Sequence, residues 1–336
     1  MIPLAFPIKE ALRDDTRLLA ADVGGTKTDV GLFKRYNGKM ILEKEAVFSS
    51  KQFNSLSEII RSFHSEAPLP ERLSIAFAGP ILDGKAKATN LDWQVDTAVL
   101  SHELGIRQVF LLNDLEAKAY GLAALTKKDF RSIYAKKNTA EGNIAIIAPG
   151  TGLGEAGLFW DGRMFHPFAT EGGHTDFAPR NEFDWELLLY LQQQFGHVSW
   201  ERVVSGPGIY QIYCFLRDVK HREAPEILQE NIEKQDPAAA IALGAKENCP
   251  ICEETMRLFV RYLAIETSNL ALKLKATGGI FIGGGILPKI WNENYGEIFL
   301  EHFFEVGRMR PLLEEMPVQL ILNPQTALLG AAWYGK

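Results

Sequence analysis

Residues 18–33 read LLAADVGGTKTDVGLF, and residues 144–159 read IAIIAPGTGLGEAGLF. Each is an apolar run, a glycine turn, and a second run with strand-like alternation. At a constant offset of 126, Gly24 falls on Gly150, Gly31 on Gly157, and the GLF of 31–33 on that of 157–159. The position matching Asp22 is Ala148, so only the first turn opens with a carboxylate. An internal duplication is the economical explanation, giving two related lobes that each offer a glycine loop, a plausible phosphate clamp. The segment after the first repeat, KRYNGKMILEKEAVF, carries Asn37-Gly38 between strand-like runs, a strong hairpin signal. Dinucleotide-binding and P-loop motifs need their glycines between a strand and a helix. Here the glycines stand between two strands, which sets those folds aside.

Length and composition bound the rest. A chain of 336 residues is too long for one ordinary core, so two lobes are expected. Its balance, 46% hydrophobic and 23% charged, is that of a globular enzyme. A net charge of −6 argues against nucleic acid as a partner, because that affinity rests on Lys and Arg facing phosphates. No apolar stretch approaches membrane-spanning length, and the opening MIPLAFPIKEALRDD lacks the basic start and long apolar run of a signal peptide. Cys214, Cys249 and Cys252 cannot build a disulfide framework, and Cys249-x-x-Cys252 has no second ligand pair at usable spacing. The reducing cytoplasm is the expected address.

In VFLLNDLEAKAYGL (109–122), an Asn-Asp pair follows four apolar residues, and Leu115, Ala119 and Leu122 then recur at helical spacing. A strand therefore runs into a helix, with Asp114 either capping that helix or exposed for chemistry. Further helices are expected over 183–196, closed by Gly196, over 205–216, with Pro207 near the start, and over 253–279, stopping at Gly278-Gly279. IFIGGGI (280–286) reads as a strand ending in three glycines, and the last helix is capped near Asn323. The polar stretches 126–142 and 218–250 read as surface insertions.

Together these motifs resemble the bacterial-type glucokinases, within the sugar kinase/heat-shock ATPase/actin superfamily. DVGGTK (22–27) resembles the first phosphate motif, APGTGLG (148–154) the second, and GGGI (283–286) the adenosine motif. TNLDW (89–93), LLNDLEA (111–117), EGGHTDFAP (171–179) and GHVSWERVVSGPG (196–208) resemble the sugar-site segments. The resemblance covers about residues 18–336 with seven motifs in family order. It implies a two-lobed actin-like ATPase (ribonuclease H-like) α/β fold, with duplicated βββαβα-type lobes around a cleft that closes on glucose. The small lobe is expected over 1–113, completed by the C-terminal helix 323–336, and the large lobe over 114–322.

The resemblance further implies ATP-dependent phosphorylation of glucose at its 6-hydroxyl, with ATP and Mg²⁺ required and a homodimer as the assembly. Asp114 would be the general base. Asn90, Asn113, Glu171, His174 and Glu201 would join it around the sugar, with His197 and Ser205 either binding or supporting local packing. Gly24, Gly25, Gly150 and Gly152 let backbone N–H groups approach phosphate oxygens, and Thr26 and Thr151 add hydroxyl donors. Lys27 either adds charge near the phosphates or faces solvent. Gly283, Gly284 and Gly285 suit close approach to the adenosine. Asp22 ends an apolar strand, where either Mg²⁺ with its waters or the adjacent turn's backbone would satisfy the carboxylate. Related kinases carry a cysteine-rich zinc motif after the position of His174; no cysteine occurs here before 214, so no structural zinc is expected. The rivals are a kinase for fructose or mannose and a sugar-independent ATPase. A transcription regulator would need more than the roughly 17 residues before the first strand for a helix-turn-helix.

Overall fold

The computed structural model describes residues 2–7, 12–65, 68–79, 81–87, 93–136 and 141–336. Its elements begin with β1 (Arg17–Val23), β2 (Lys27–Tyr36), β3 (Lys39–Ser49), α1 (Leu56–Phe63), β4 (Arg72–Phe77), and the short β5 (Ile81–Leu82), β6 (Lys85–Lys87) and β7 (Gln94–Asp96). Next come α2 (Thr97–Leu104), β8 (Gln108–Asn113), α3 (Asp114–Gly121), β9 (Phe130–Tyr134), β10 (Ile144–Pro149), β11 (Leu153–Trp160) and β12 (Phe165–Ala169). A helical stretch follows: α4 (Glu182–Phe195), α5 (Gly206–Asp218), α6 (Glu226–Lys234), α7 (Pro237–Lys246) and α8 (Pro250–Leu274). The chain then forms β13 (Gly279–Ile282), α9 (Leu287–Ile290), α10 (Glu293–Phe303), α11 (Arg310–Leu313), β14 (Val318–Ile321) and α12 (Thr326–Tyr334). This is the mixed α/β architecture expected.

The chain divides into two units, one of Met1–Asp129, Gly157–Ala169 and Asn323–Lys336, the other of Phe130–Ala156 and Thr170–Leu322. The boundary expected at 113/114 falls inside the first unit because α3 packs backbone to backbone on α12. A Cβ on Gly121 would collide with the Thr326 carbonyl, and one on Gly330 with that of Ala117.

In the first unit the sheet order is β3-β2-β1-β4-β8. The hairpin β1–β2 is antiparallel, while β1, β4 and β8 run parallel. Asn37 and Gly38 turn β2 into β3 with φ of 50° and 72°, the pair of left-handed residues that a type I′ turn requires. Leu19, Ile59, Ile60, Leu73 and Ile75 pack the core at 0% exposure, where each fully buried side chain contributes about 1.5–3 kcal/mol. In the second unit β11-β10-β13-β14 repeats the β2-β1-β4-β8 part of the plan, with β10, β13 and β14 parallel, and β9 is added at the edge, antiparallel to β14.

α4 and α5 form where the spacing predicts. Asn181 Oδ1 accepts from Asp184 N–H at 2.9 Å to start α4, and Gly196 closes it with φ 68°. Ser205 caps α5, accepting from Gly208 N–H at 3.0 Å. α8 ends at Leu274, ahead of Gly278-Gly279, because Lys275 adopts the left-handed conformation at φ 50°. The two polar stretches are corrected. In 126–142, Phe130–Tyr134 is the edge strand β9, antiparallel to β14. In 218–250, α6 and α7 send Leu228, Ala240 and Ile241 into the core, and Gly244 leaves room for the Cys252 thiol. A few apolar residues at helical spacing suffice to bury one face although mean polarity is high.

Candidate active site

Parallel strands present their carboxyl ends together, and in open α/β sheets those ends are where ligands bind. In the first unit, Val23 pairs with Phe77 and Phe77 with Asn113, so the ends of β1, β4 and β8 lie side by side. Asp22 stands at the first, Asn113 and Asp114 at the third. The turn after β1 is tight, with Gly24 N–H donating to Lys27 C=O at 3.0 Å, and Ser50 Oγ anchors it by donating to Gly24 C=O at 2.8 Å. Gly24 is not in the left-handed region; its need is space, since a Cβ would stand 3.2 Å from Lys27 O. Lys27 Nζ is held by Asp29 Oδ2 at 2.8 Å.

The capping question is decided one residue earlier than Asp114. Asn113 Oδ1 accepts from the N–H groups of Leu115 (2.9 Å) and Glu116 (3.3 Å), so Asn113 caps α3. Its amide NH₂ makes a long 3.4 Å bond to Gly79 C=O. Asp114 is the first helical residue, and its Oδ2 is 3.1 Å from Lys118 Nζ, one turn on. Lys118 is the residue that sequence reasoning missed; the signal was Asp-x-x-x-Lys at i,i+4 on a helix. Burial works against the Lys118 ammonium, but Asp114 and Asp22 outweigh it and hold its pKa above the ordinary lysine value. Burial also pushes the Asp22 carboxyl up to about 6, against the pull of Lys118, with Asp114 and Asp29 adding to the rise.

In the second unit the loop after β10 closes through Gly150 N–H to Gly152 C=O at 2.8 Å, and Gly150 C=O accepts from Gly206 N–H at 2.8 Å. Thr151 stands exposed at the tip. Gly152 is required by Glu201: a Cβ there would collide with Glu201 Oε2, which accepts from Leu153 N–H at 2.9 Å. Nothing lies within 4 Å of where a Cβ would stand on Gly150 or Gly285, so both loops keep open space beside their backbone. Gly283 N–H donates to Ile147 C=O at 2.8 Å, and Gly284, at φ 85°, rests on the Pro149 carbonyl. The glycine segments 148–154 and 283–286 are thus neighbours at the ends of β10 and β13.

Segments 171–179 and 196–208 of this unit are zipped together. Trp200 N–H donates to Thr175 C=O at 3.0 Å, and Phe177 N–H to Val198 C=O at 2.9 Å. Glu171 and His174 flank a short turn with side chains 61% and 59% exposed, Glu171 Oε2 and His174 Nε2 standing 3.9 Å apart. His197 Nε2 pairs with Asp176 Oδ1 at 2.8 Å on the exposed surface, and Ser205 Oγ donates to Glu201 C=O at 2.6 Å while capping α5. Asn90 lies outside the described residues. Among the described residues no three His, Cys, Asp or Glu side chains form a metal-holding group, and no helix is long and apolar enough to cross a membrane.

Comparison with known proteins covers nearly the whole chain. The family model described as Glucokinase matches residues 19–336. A glucokinase of Nostoc punctiforme is 44% identical over 335 residues, covering 94% of this chain and 98% of the relative. Among solved structures, a glucokinase from an Antarctic psychrotroph aligns at TM-score 0.80 with 33% identity, covering 96% of this chain and 98% of the other. A glucokinase of Balamuthia mandrillaris in complex with glucose aligns at TM-score 0.80 with 22% identity, covering 95% and 93%, a likeness of fold.

Proposed function

The chain belongs to the glucokinase family, and from that membership we propose that it transfers the γ-phosphoryl group of ATP to the 6-hydroxyl of glucose. The products are glucose 6-phosphate and ADP. Phosphoryl transfer is mainly positioning and electrostatics, but the acceptor hydroxyl must lose its proton. Asp114 takes it as the hydroxyl oxygen bonds to the γ-phosphorus and the bond to the ADP oxygen breaks. One observation carries this assignment: Asn113 caps α3, which leaves the Asp114 carboxylate for chemistry.

Lys118 fixes that carboxylate by their 3.1 Å ion pair. The Asn113 amide NH₂ donates to a neighbouring sugar hydroxyl, and Glu171, His174 and Glu201 bind others, with Asn90 assigned to the same ring. Such groups discriminate because a wrong epimer leaves a polar atom unpaired. The backbone of Gly24–Thr26 and Gly150–Gly152, with the Thr26 and Thr151 hydroxyls, binds the phosphates, and Gly283–Gly285 lines the adenosine. Lys27 is already paired with Asp29 and contributes charge at a distance. Asp22 suits Mg²⁺: it is a hard oxygen donor at a strand end, and its raised pKa marks a carboxylate short of counter-charge. Asp22 would hold Mg²⁺ through its waters, and the ion would supply positive charge against the phosphates. Homodimerisation and a cytoplasmic address belong to the same proposal; sedimentation as a monomer would remove the first.

The test is ADP release from Mg-ATP measured with and without glucose, then with fructose and mannose. Glucose-dependent release with glucose 6-phosphate as product is expected. A preference for another hexose would change the substrate, and equal release without sugar would make the protein an ATPase.

A further inference from the structure

Two acids meet in the interior of the second unit. Glu155 on β11 is 1% exposed and Glu266 on α8 is 0% exposed. They interact, and among the described residues Oε1 of each has no hydrogen-bond partner. Their surroundings answer less than the two charges. Asn269 Nδ2 donates to Glu266 Oε2 at 2.9 Å, and Lys273 Nζ, itself 55% exposed, stands 3.5 Å from Glu266 Oε1. Beyond α8, the charge of Arg180 reaches Glu266. Two neighbouring carboxyls in a dry site cannot both ionise cheaply, whereas one proton between them turns two orphaned oxygens into a donor and an acceptor.

The pair also has a mechanical role. Glu155 Oε2 rests directly on Gly172, where a Cβ would collide with it, and Glu155 C=O accepts from Thr170 Oγ1 at 3.0 Å. Gly173 lies against the Leu153 carbonyl in the same way. The turn that carries Glu171 and His174 is therefore seated on β11 through Glu155. We propose that Glu155 and Glu266 share one proton and act as positioning residues for this turn, so that glucose binds tightly while the pair keeps the proton and more weakly once it leaves. This rests on the reading of Glu171 and His174 as sugar ligands. Burial and the adjacent Glu266, opposed by Lys273, push the Glu155 carboxyl up to about 8, and burial raises Glu266 as well. Release of the shared proton thus falls where an assay can follow it.

The experiment is calorimetric titration of the whole protein with glucose, without nucleotide, from pH 6.5 to 9, alongside KM and kcat for glucose. Wild type is expected to lose about tenfold in affinity across that range, the linkage of roughly one pKa unit, with KM following the affinity. Glu155→Gln, which keeps the shape and hydrogen bonding without the ionisable proton, is expected to hold the low-pH affinity throughout. A dependence owed to the His174 imidazole would persist in that variant. Glu266→Gln is the second arm should the first fail to fold. A flat wild-type profile, or a Gln variant that follows wild type, overturns the proposal. Failure to bind glucose or form glucose 6-phosphate at any pH would instead strike the functional reading.

Discussion

At the offset relating the two glycine hairpins, Asp22 falls on Ala148 and Asp29 on Glu155. In the first hairpin the two acids are cross-strand partners, and lysines answer them: Lys27 holds Asp29, and Lys118 opposes Asp22. In the second, the strand end is the uncharged Ala148, and the inward acid meets another acid, Glu266. The chain path and the turn's N–H groups are common to both, because backbone geometry fixes them. Charge is not fixed by the backbone, and there the hairpins diverge. The first becomes a charged centre beside Asp114. The second carries no lysine at its strand end, and its glycine makes room for another side chain, Gly152 for the Glu201 carboxylate.

Exchanging the charges is the severest trial of this contrast. Asp22→Ala is expected to lower kcat/KM for Mg-ATP about 10²- to 10³-fold, the scale of one lost electrostatic contact to the transferring group. Ala148→Asp should lower it also, by setting a carboxylate against phosphate; steady-state kinetics that leave the transplant silent would show that the second loop does not face ATP.

The glycines come next. Gly152→Ala must displace Glu201 and should raise KM for glucose about tenfold while losing about 1–3 kcal/mol of stability in denaturant titration. Gly150→Ala, with open space, should keep wild-type stability and register only in KM for ATP. Equal stability losses in the two would mean that both glycines serve the turn alone.

A smaller effect is expected at Lys118. Lys118→Met removes the positive charge opposing Asp22, so the acid limb of kcat/KM for ATP should move upward by about half to one pH unit. An unmoved limb in the pH–rate profile would detach Asp22 from it. The mildest outcome concerns stability without nucleotide or metal. Asp22 is raised to about 6 in the folded protein from an ordinary 3.8, so the fold holds its proton more tightly than the unfolded chain does. Wild type therefore loses stability as pH rises from about 4 to about 6 and stays lower above that. In melting scans with EDTA, Asp22→Asn should exceed wild type by a few degrees at pH 8 and by nothing at pH 3.5.

Much of this was legible in one dimension because it is local. The glycine hairpins and the Asn37-Gly38 turn are each fixed by residues within a few positions of one another. Asn113 was read as a sugar ligand and Asp114 as a possible cap; which residue caps depends on where β8 ends, and that boundary is set by pairing with β4. Lys118 became visible only once Asp114 was known to open the helix. The Glu155–Glu266 contact joins residues far apart in sequence, and no spacing rule brings them together. The polar stretch 218–250 misled for another reason: its core residues are few and set among many charges.

The most direct measurement is a comparison of Asp114→Asn with wild type, by glucose calorimetry and by the rate of glucose 6-phosphate formation at saturating Mg-ATP. Asp114 as base predicts kcat lowered about 10³-fold with glucose affinity held within a few-fold. A variant that turns over near the wild-type rate, or one that loses glucose binding and turnover in equal measure, would contradict it.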